Sequence, residues 1–101
     1  MVNTIKRMDF LHRTSTEITA YTEIMKATHK DAPDTIRYIV FSTMRAVTHG
    51  NNLTQTAKTD TVQDYSTLAE ALACMEKWRV SREQTGSWQS LVTIDRTEEH
   101  V

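Results

Sequence analysis

Glycine and proline are scarce in this chain of 101 residues, which contains two Gly and one Pro. Because these residues interrupt helices and strands, their positions mark the few places where a long element must end. Pro33 suits the first turn of a helix, whereas Gly50 and Gly86 suit the position just after a helix. The three breakers therefore lie where helix ends would place them, and they favour a mainly helical chain.

Apolar residues recur at helical spacing through the first half of the chain. We predict helices over residues 4–13, 15–28 and 32–49, the second introduced by a capping box in the sequence TSTE at residues 14–17. The predicted apolar stripes consist of Ile5, Met8 and Leu11; of Ile18, Tyr21, Ile24, Met25 and Thr28; and of Ile36, Ile39, Val40, Met44 and Val47. Residues 36–41, IRYIVF, are also rich in β-branched and aromatic side chains, so a strand remains the alternative there.

The strongest helical pattern lies in the second half of the chain. We predict a fourth helix from Thr61 or Ser66 to about Thr85, with a second capping box in the sequence TLAE at residues 67–70. Its wide apolar stripe is typical of a helix packed on a core. The stripe consists of Leu68, Ala71, Leu72, Met75 and Trp78, with Cys74 beside it.

Two segments alternate in side-chain character, as strands do. They are residues 52–58 and residues 87–94, and we predict a short strand in each. For the segment 51–61, which contains the first of them, a loop is the alternative. Residues 95–101 are predicted to be a solvated tail. The predicted fold class is mainly α: a single domain of residues 1–101 with four helices and up to two short strands flanking the last helix.

The apolar content is low for a globular domain. Ala, Val, Ile, Leu, Met, Phe, Trp, Cys and Gly together number 38 of 101 residues, against about 45–50% in a typical domain. A core this small predicts stabilisation by a second copy of the chain. The formal net charge is −1, so the composition lacks the basic excess of a protein that binds nucleic acid or an anionic membrane.

Several observations bear on the compartment. The single Cys74 excludes a disulfide within the chain and fits a reducing environment. The N-terminal sequence MVNTIKRMDFLHR lacks the apolar run of a signal peptide, and no segment approaches the length of apolar sequence that spans a membrane. We therefore expect a cytoplasmic protein that has no membrane partner.

One short segment combines basic and aromatic residues, and we call residues 77–82, KWRVSR, the basic/aromatic patch. Such a patch can contact phosphates and stack on a base. The structural interpretation is favoured: Trp78 packs in the core, Arg82 covers its ring, and nearby glutamates neutralise Arg79. The candidate interaction residues are Lys77, Trp78, Arg79 and Arg82, together with Trp88, Arg37 and Tyr38.

Arg37 and Tyr38 are included among the candidate interaction residues because the second and third predicted helices could form a helix-turn-helix. In that motif the start of the second helix enters the major groove of DNA. Here that start carries Asp31 and Asp34, whose carboxylates would face phosphates. The acidic residues argue against this interpretation.

Motifs for catalysis or metal binding are missing from the sequence. The four histidines and Cys74 have no ligand spacing, and two glycines are too few for a phosphate-binding loop. A cysteine beside an apolar stripe is more often a packing residue than a nucleophile. We therefore predict no enzyme, no cofactor, and no catalytic or metal-binding residue.

The sequence supports three functional hypotheses. The preferred one is a small helical protein–protein interaction module, an adaptor or inhibitor such as those that mobile elements encode, acting as a homo-oligomer, most simply a dimer. The second is a nucleic-acid-binding regulator that uses the basic/aromatic patch. The third is a binder of a small anionic ligand such as a nucleotide, held by Trp88, Tyr38 or Arg82 at a subunit junction.

Overall fold

The computed structural model describes residues 2–50 and 52–100, and it contains five antiparallel strands and one α-helix. The strands pair in the order β4-β3-β2-β1-β5. In chain order the elements are β1 (Val2–His12), β2 (Ile18–His29), β3 (Ala32–Gly50), β4 (Leu53–Tyr65), α1 (Leu68–Gln84), β5 (Trp88–Asp95) and a 3-10 turn (Thr97–His100). The chain is therefore mainly β, with a single helix lying across one face of the sheet.

The prediction of a mainly α, four-helix domain is wrong. The segments predicted as the first three helices form β1, β2 and β3, and the IRYIVF segment at residues 36–41 lies within β3. The chain has 17 threonines, and β-branched side chains fit the pleated surface of a strand better than the turns of a helix. The composition thus pointed towards strands, and the helical spacing of the apolar residues was misleading.

The misleading spacing arose because both faces of the sheet carry apolar side chains. Along β2, Ala20 and Ile24 are buried under the helix, while Tyr21 lies on the opposite side and contacts Phe41 of β3 with ring centroids 5.9 Å apart. The buried positions also include Thr22, which a polarity pattern assigns to solvent. When polar residues are buried and aromatic residues face outward, the two-residue period of a strand is hidden.

The capping box expected at residues 14–17 is a turn between β1 and β2. The Glu17 N–H donates to the Ser15 hydroxyl at 3.2 Å, and β2 begins at the next residue, Ile18, so no helix begins there. At the second predicted capping box the N-cap is present: the Thr67 hydroxyl accepts from the Glu70 N–H at 3.2 Å, and the Glu70 carboxylate accepts from this same hydroxyl at 2.8 Å in place of the backbone N–H of a regular box. The helix therefore begins at Leu68, later than either predicted start.

The C-terminal part of the chain agrees more closely with the sequence. The helix ends at Gln84, and Gly86 follows with φ of +76°, a conformation that favours glycine. The predicted strand at 87–94 corresponds to β5, and the predicted strand at 52–58 corresponds to the first half of β4. Beyond β5, the Arg96 N–H donates to the Ile5 carbonyl at 2.7 Å, which ties the start of the predicted tail to β1; Val101 lies outside the described residues.

The hydrophobic core fills the space between the helix and one face of the sheet, which we call the helix face. The helix contributes Leu68, Ala71, Cys74 and Met75, and the sheet contributes Ile5, Met8, Phe10, Ala20, Ile24, Val40 and Trp88. The opposite side, which no element of the described chain covers, is called the open face. This two-layer arrangement leaves both the open face and the two outer strands, β4 and β5, in contact with solvent.

Candidate interaction site

Strand β4 forms one edge of the sheet and pairs with β3 alone. The pairing runs without a register shift from Tyr38 opposite Tyr65 to Gly50 opposite Leu53. The other three strand pairs each contain a bulge or irregularity. β4 is therefore a long, regular edge strand of 13 residues, without the proline or bulge that commonly protects such an edge from pairing with another chain.

One hydrogen bond shows which backbone groups of β4 are free. The Val47 N–H of β3 donates to the Glu17 carbonyl at 3.2 Å, so it points away from β4. Val47 lies opposite Thr56, and in such an antiparallel pair the backbone groups of both residues point away from each other. The N–H and C=O of Thr56 therefore point out of the sheet, as do those of every even-numbered residue from 54 to 64. We call this row of outward groups the β4 edge.

The side chains of β4 alternate between the two faces. Gln63 lies on the helix face, where its side-chain oxygen accepts from the Cys74 thiol at 2.9 Å. Asp60 lies on the open face, where it accepts from the Thr43 hydroxyl at 2.5 Å and pairs with Lys58 at 3.5 Å. Residues 53–60 are all exposed, so the side chains on both faces of this half of the strand are accessible.

The end of the β3–β4 hairpin projects beyond the rest of the sheet. Ala46 is the last residue of β3 that pairs with β2, so residues 47–50 and 53–56 form a two-stranded ribbon. Glu17 anchors this ribbon through the backbone bond to Val47 and through its carboxylate, which lies 2.6 Å from His49 Nε2. Because an isolated two-stranded ribbon is marginally stable in water, pairing with a further strand would stabilise it.

The basic/aromatic patch is taken up by structural contacts. The Arg82 guanidinium lies 4.6 Å from the Phe10 ring and 5.0 Å from the Trp78 ring, and it donates to the Ser42 hydroxyl at 3.1 Å. Burial lowers the pKa of Arg82, as expected for a cation with no carboxylate partner among the described ion pairs. Arg82 thus covers Trp78, and its guanidinium is turned towards the sheet.

The neighbouring cation is neutralised on the helix surface. Arg79 forms ion pairs with Glu76 and Glu83. A hydrogen bond from the Ser90 hydroxyl lowers the pKa of Glu83, and the Arg79 guanidinium lowers it further although partial desolvation opposes this. Lys77 is exposed and is therefore the one cation of the basic/aromatic patch left facing solvent.

The remaining candidate residues do not converge on a common site. Trp88 is buried, with its ring edge-on to Phe10 at 6.5 Å and to His12 at 5.0 Å. Tyr38 packs against the core from β3. Arg37 is exposed and pairs with Asp64 of β4 at 2.8 Å, so its charge is neutralised by a neighbouring carboxylate.

Two of the clefts among the described residues border the helix. The larger, about 610 Å³, is lined by Lys6, Leu72 and residues 95–99. The Asp95 carboxylate there accepts from both the backbone and the hydroxyl of Thr97, which lowers its pKa. Its lining mixes two basic with three acidic residues, so it does not select for an anion.

The smaller cleft, about 240 Å³, contains Cys74, Lys77 and Trp78 among its lining residues. The Gln63 side-chain oxygen accepts from Cys74 and, at 2.6 Å, from the Tyr65 hydroxyl. The contact of Tyr65 with Cys74, together with desolvation, raises the pKa of Tyr65. In the part of the chain that the structure describes, no three His, Cys, Asp or Glu side chains are grouped so that they could hold a metal ion.

Comparison with known proteins adds no relative. No family model, no curated protein and no solved structure matches this chain significantly. Within residues 2–50 and 52–100, α1 lacks the length and apolar character of a membrane-spanning helix.

The β4 edge is the feature that the sequence prediction missed in part. Alternation through residues 52–58 predicted a strand, but the fourth helix was predicted to begin at Thr61 or Ser66, so the second half of β4 was not recognised. Thr59 and Thr61 continue the alternation, with Asp60 and Val62 on the other face. The β-branched residues Thr59, Thr61 and Val62 favour a strand there, and the second capping box is consistent with a helix that starts only after Tyr65.

Proposed function

We propose that this chain is a non-catalytic protein–protein interaction module that acts as a homo-oligomer and binds through the β4 edge. The observation that carries the proposal is the unbroken pairing of β4 with β3 over 13 residues, which leaves a straight row of outward backbone groups. Natural proteins usually shorten, bend or block such an edge. An edge left regular over this length favours recognition of another strand.

Strand addition fits the physical needs of the chain. Each added pair of backbone hydrogen bonds satisfies groups that water alone contacts in the monomer, and a third strand supports the projecting ribbon. The core is small because the helix covers only one face of the sheet. The same edge suits an adaptor or inhibitor, because a strand of another protein can add to it in the same way.

The open face is a weaker candidate for the interaction surface. Part of this face is taken up by contacts between its own side chains: Arg7 lies over the Tyr21 ring at 3.8 Å, and Asp9 accepts from Arg7 at 3.1 Å and from Thr93 at 2.6 Å. Binding across this face would break or desolvate these contacts. Those costs reduce the affinity that burial of the face provides.

The two alternative functions receive less support. Nucleic-acid binding needs cations that reach phosphates, whereas Arg82 is half-buried against the Phe10 ring and Arg79 is paired with carboxylates. A nucleotide site formed by Trp88, Tyr38 and Arg82 needs accessible rings, whereas Trp88 is only 7% exposed. The electrostatics and the burial therefore favour a protein partner.

The molar mass in solution tests the proposal. We expect light scattering at micromolar concentration to give a multiple of the 11.6 kDa chain mass, most simply twice that value. Thr56→Pro removes one outward N–H without removing a β3–β4 hydrogen bond, since proline is tolerated where the N–H faces solvent. This variant is expected to be monomeric, with the far-ultraviolet circular dichroism of the parent.

Thr56→Ala is the matched control, because it keeps the N–H and is expected to remain oligomeric. A parent chain that stays at the monomer mass with a cooperative melt would contradict the proposal. So would an oligomer whose mass Thr56→Pro leaves unchanged, because its interface would then lie away from the β4 edge.

A further inference from the structure

The β4 strand is self-complementary when a second copy pairs with it antiparallel over its full length. Thr59 is the middle residue of Leu53–Tyr65. Full-length pairing by a two-fold axis therefore puts Thr59 opposite Thr59 of the second copy. The two-fold operation also sets outward backbone groups opposite outward backbone groups, as an antiparallel ladder requires.

This register places opposite charges against each other. Lys58 faces Asp60 of the second copy, and Asp60 faces Lys58 of the second copy. Both side chains lie on the open face and are exposed. Opposite charges directly across a strand pair stabilise it, and like charges destabilise it.

The neighbouring two-fold registers lack this complementarity. An axis at Lys58 sets Lys58 against Lys58, and an axis at Asp60 sets Asp60 against Asp60. Both also leave residues at the strand ends unpaired. The register centred on Thr59 is therefore favoured over its neighbours both by length and by charge.

Of the five remaining pairs in this register, three join side chains of similar character, and the other two are Thr54 with Asp64 and Ala57 with Thr61. Leu53 faces Tyr65, Gln55 faces Gln63, and Thr56 faces Val62, which is 62% exposed in the single chain. These are apolar–aromatic, amide–amide and β-branched pairs, all of which occur across natural strand pairs. No pair in this register sets like charges together.

We propose that two copies of this chain join through β4 in the register centred on Thr59, forming a continuous ten-stranded sheet with both helices on one side. This inference rests on the proposed function, because it specifies the partner and the alignment at the β4 edge. The partner is a second copy of the chain, and the paired charges of Lys58 and Asp60 select the register.

Disulfide formation tests the register. In a Cys74→Ser background, Thr59→Cys puts two thiols directly opposite each other in a non-hydrogen-bonded pair, with Cα atoms about 4.5 Å apart, a separation that a disulfide spans. Thr61→Cys, on the same face, is the matched control, because its two copies are displaced by about 13 Å along the strands. We expect mild oxidation to cross-link Thr59→Cys rapidly and Thr61→Cys at least tenfold more slowly.

Charge reversal tests the partner contact independently. Lys58→Asp and Asp60→Lys each set two like-charged pairs across the interface and are expected to raise the dimer dissociation constant about tenfold. Both variants also lose the Lys58–Asp60 contact within the chain. An equimolar mixture is expected to recover the parent affinity, and contacts within one chain cannot produce that recovery.

The outcomes separate this inference from the proposed function. A parent dimer that Thr56→Pro dissociates, combined with equal cross-linking of the two cysteine variants, overturns the register and leaves the β4 edge as the interface. If the equimolar mixture of Lys58→Asp and Asp60→Lys does not recover the parent affinity, the charge pairing between Lys58 and Asp60 is overturned. The β4 edge is again left as the interface. A monomeric parent overturns both. Circular dichroism of each variant verifies that it is folded before the comparison.

Discussion

Arg82 shows how one residue can look like a ligand-binding group in the sequence and be structural in the fold. Its guanidinium lies between the Phe10 and Trp78 rings and reaches Ser42. Among the described residues, its Nη1 is a buried nitrogen without a hydrogen-bond partner. A buried donor left unpaired costs free energy, so the benefit of Arg82 comes mainly from packing of its side chain against the two rings.

Substitution of Arg82 tests this account. Arg82→Met keeps most of the packing and removes the unpaired donor, so it should change the free energy of unfolding by less than about 1 kcal/mol. Arg82→Ala removes the packing as well and should lower it by about 2 kcal/mol. Ser42 stays hydrogen-bonded to Thr22 at 3.2 Å in both variants. Urea denaturation measures the difference, and equal costs for the two variants would show that the polar contacts dominate.

Asp9 on the open face links stability to pH. Partial burial, the largest single influence, raises the pKa of its carboxyl, but hydrogen bonds from Arg7 and Thr93 and the Arg7 charge lower it more in sum. The net pKa in the folded state is therefore below the ordinary value. A carboxyl of this kind stabilises the folded state above its unfolded pKa, and this stabilisation is lost as the pH falls through the folded pKa.

We expect the parent to be more stable than Asp9→Asn above about pH 4, near the ordinary carboxyl pKa. The difference should shrink as the pH falls further, because protonation removes the same charge that the substitution removes. Urea denaturation across this pH range measures it. Asp34→Asn, which removes an exposed carboxylate outside this cluster, is the control and should change stability by less than about 0.5 kcal/mol. A difference between parent and Asp9→Asn that does not vary with pH would contradict the assignment.

At the scale of elements, α1 is the part of the fold that local sequence specifies best. Its start depends on the reciprocal bonds between Thr67 and Glu70, and its end on the backbone conformation that Gly86 permits. These interactions span at most a few residues. They can be recognised in the sequence without knowledge of the sheet.

The helix cap gives a prediction at this scale. Thr67→Ala removes the hydroxyl that accepts from the Glu70 N–H and should lower the free energy of unfolding by about 1 kcal/mol. Thr67→Ser keeps the hydroxyl and should retain most of the stability. Urea denaturation of the two variants measures the effect. Equal destabilisation by both would indicate that the methyl group of Thr67, and not its hydroxyl, is what matters.

The strands illustrate the limit of local patterns. In β3, Val40 is buried under the helix, whereas Arg45 is exposed although it belongs to the same strand. The polar residue Ser42 is buried, whereas its neighbour Phe41 faces outward. Polarity alone would predict the opposite placement of these two side chains. The face on which each residue lies is set by pairing with strands far along the chain, and a helical period can be read into such a sequence by coincidence.

The whole molecule is flat and elongated, with Cα extents of 54 × 27 × 18 Å. The long dimension follows from the projecting β3–β4 hairpin, and the short one from a single helix layer on a single sheet. Dimers formed in different ways therefore have different shapes. Edge pairing extends the sheet across its strands, whereas stacking of two open faces increases the thickness.

Small-angle X-ray scattering distinguishes the two arrangements. A dimer joined at β4 should keep the thickness of the single chain and roughly double its 27 Å width, because neighbouring strands lie about 4.8 Å apart. Stacked open faces should instead add about 10 Å or more between the sheets. A scattering profile fitted by the thicker particle would place the interface on the open face.

The sequence by itself indicated the capped helix at residues 67–84, the strand that follows it and, with a loop as the alternative, the first half of the strand that precedes it. Those features depend on contacts between near neighbours, which the order of residues specifies directly. Only the tertiary structure decided that the first half of the chain forms strands, that Trp88 is buried, and that β4 is left as a free edge. These depend on which distant segments pair, because a strand gains its hydrogen bonds and its buried face only from its partners.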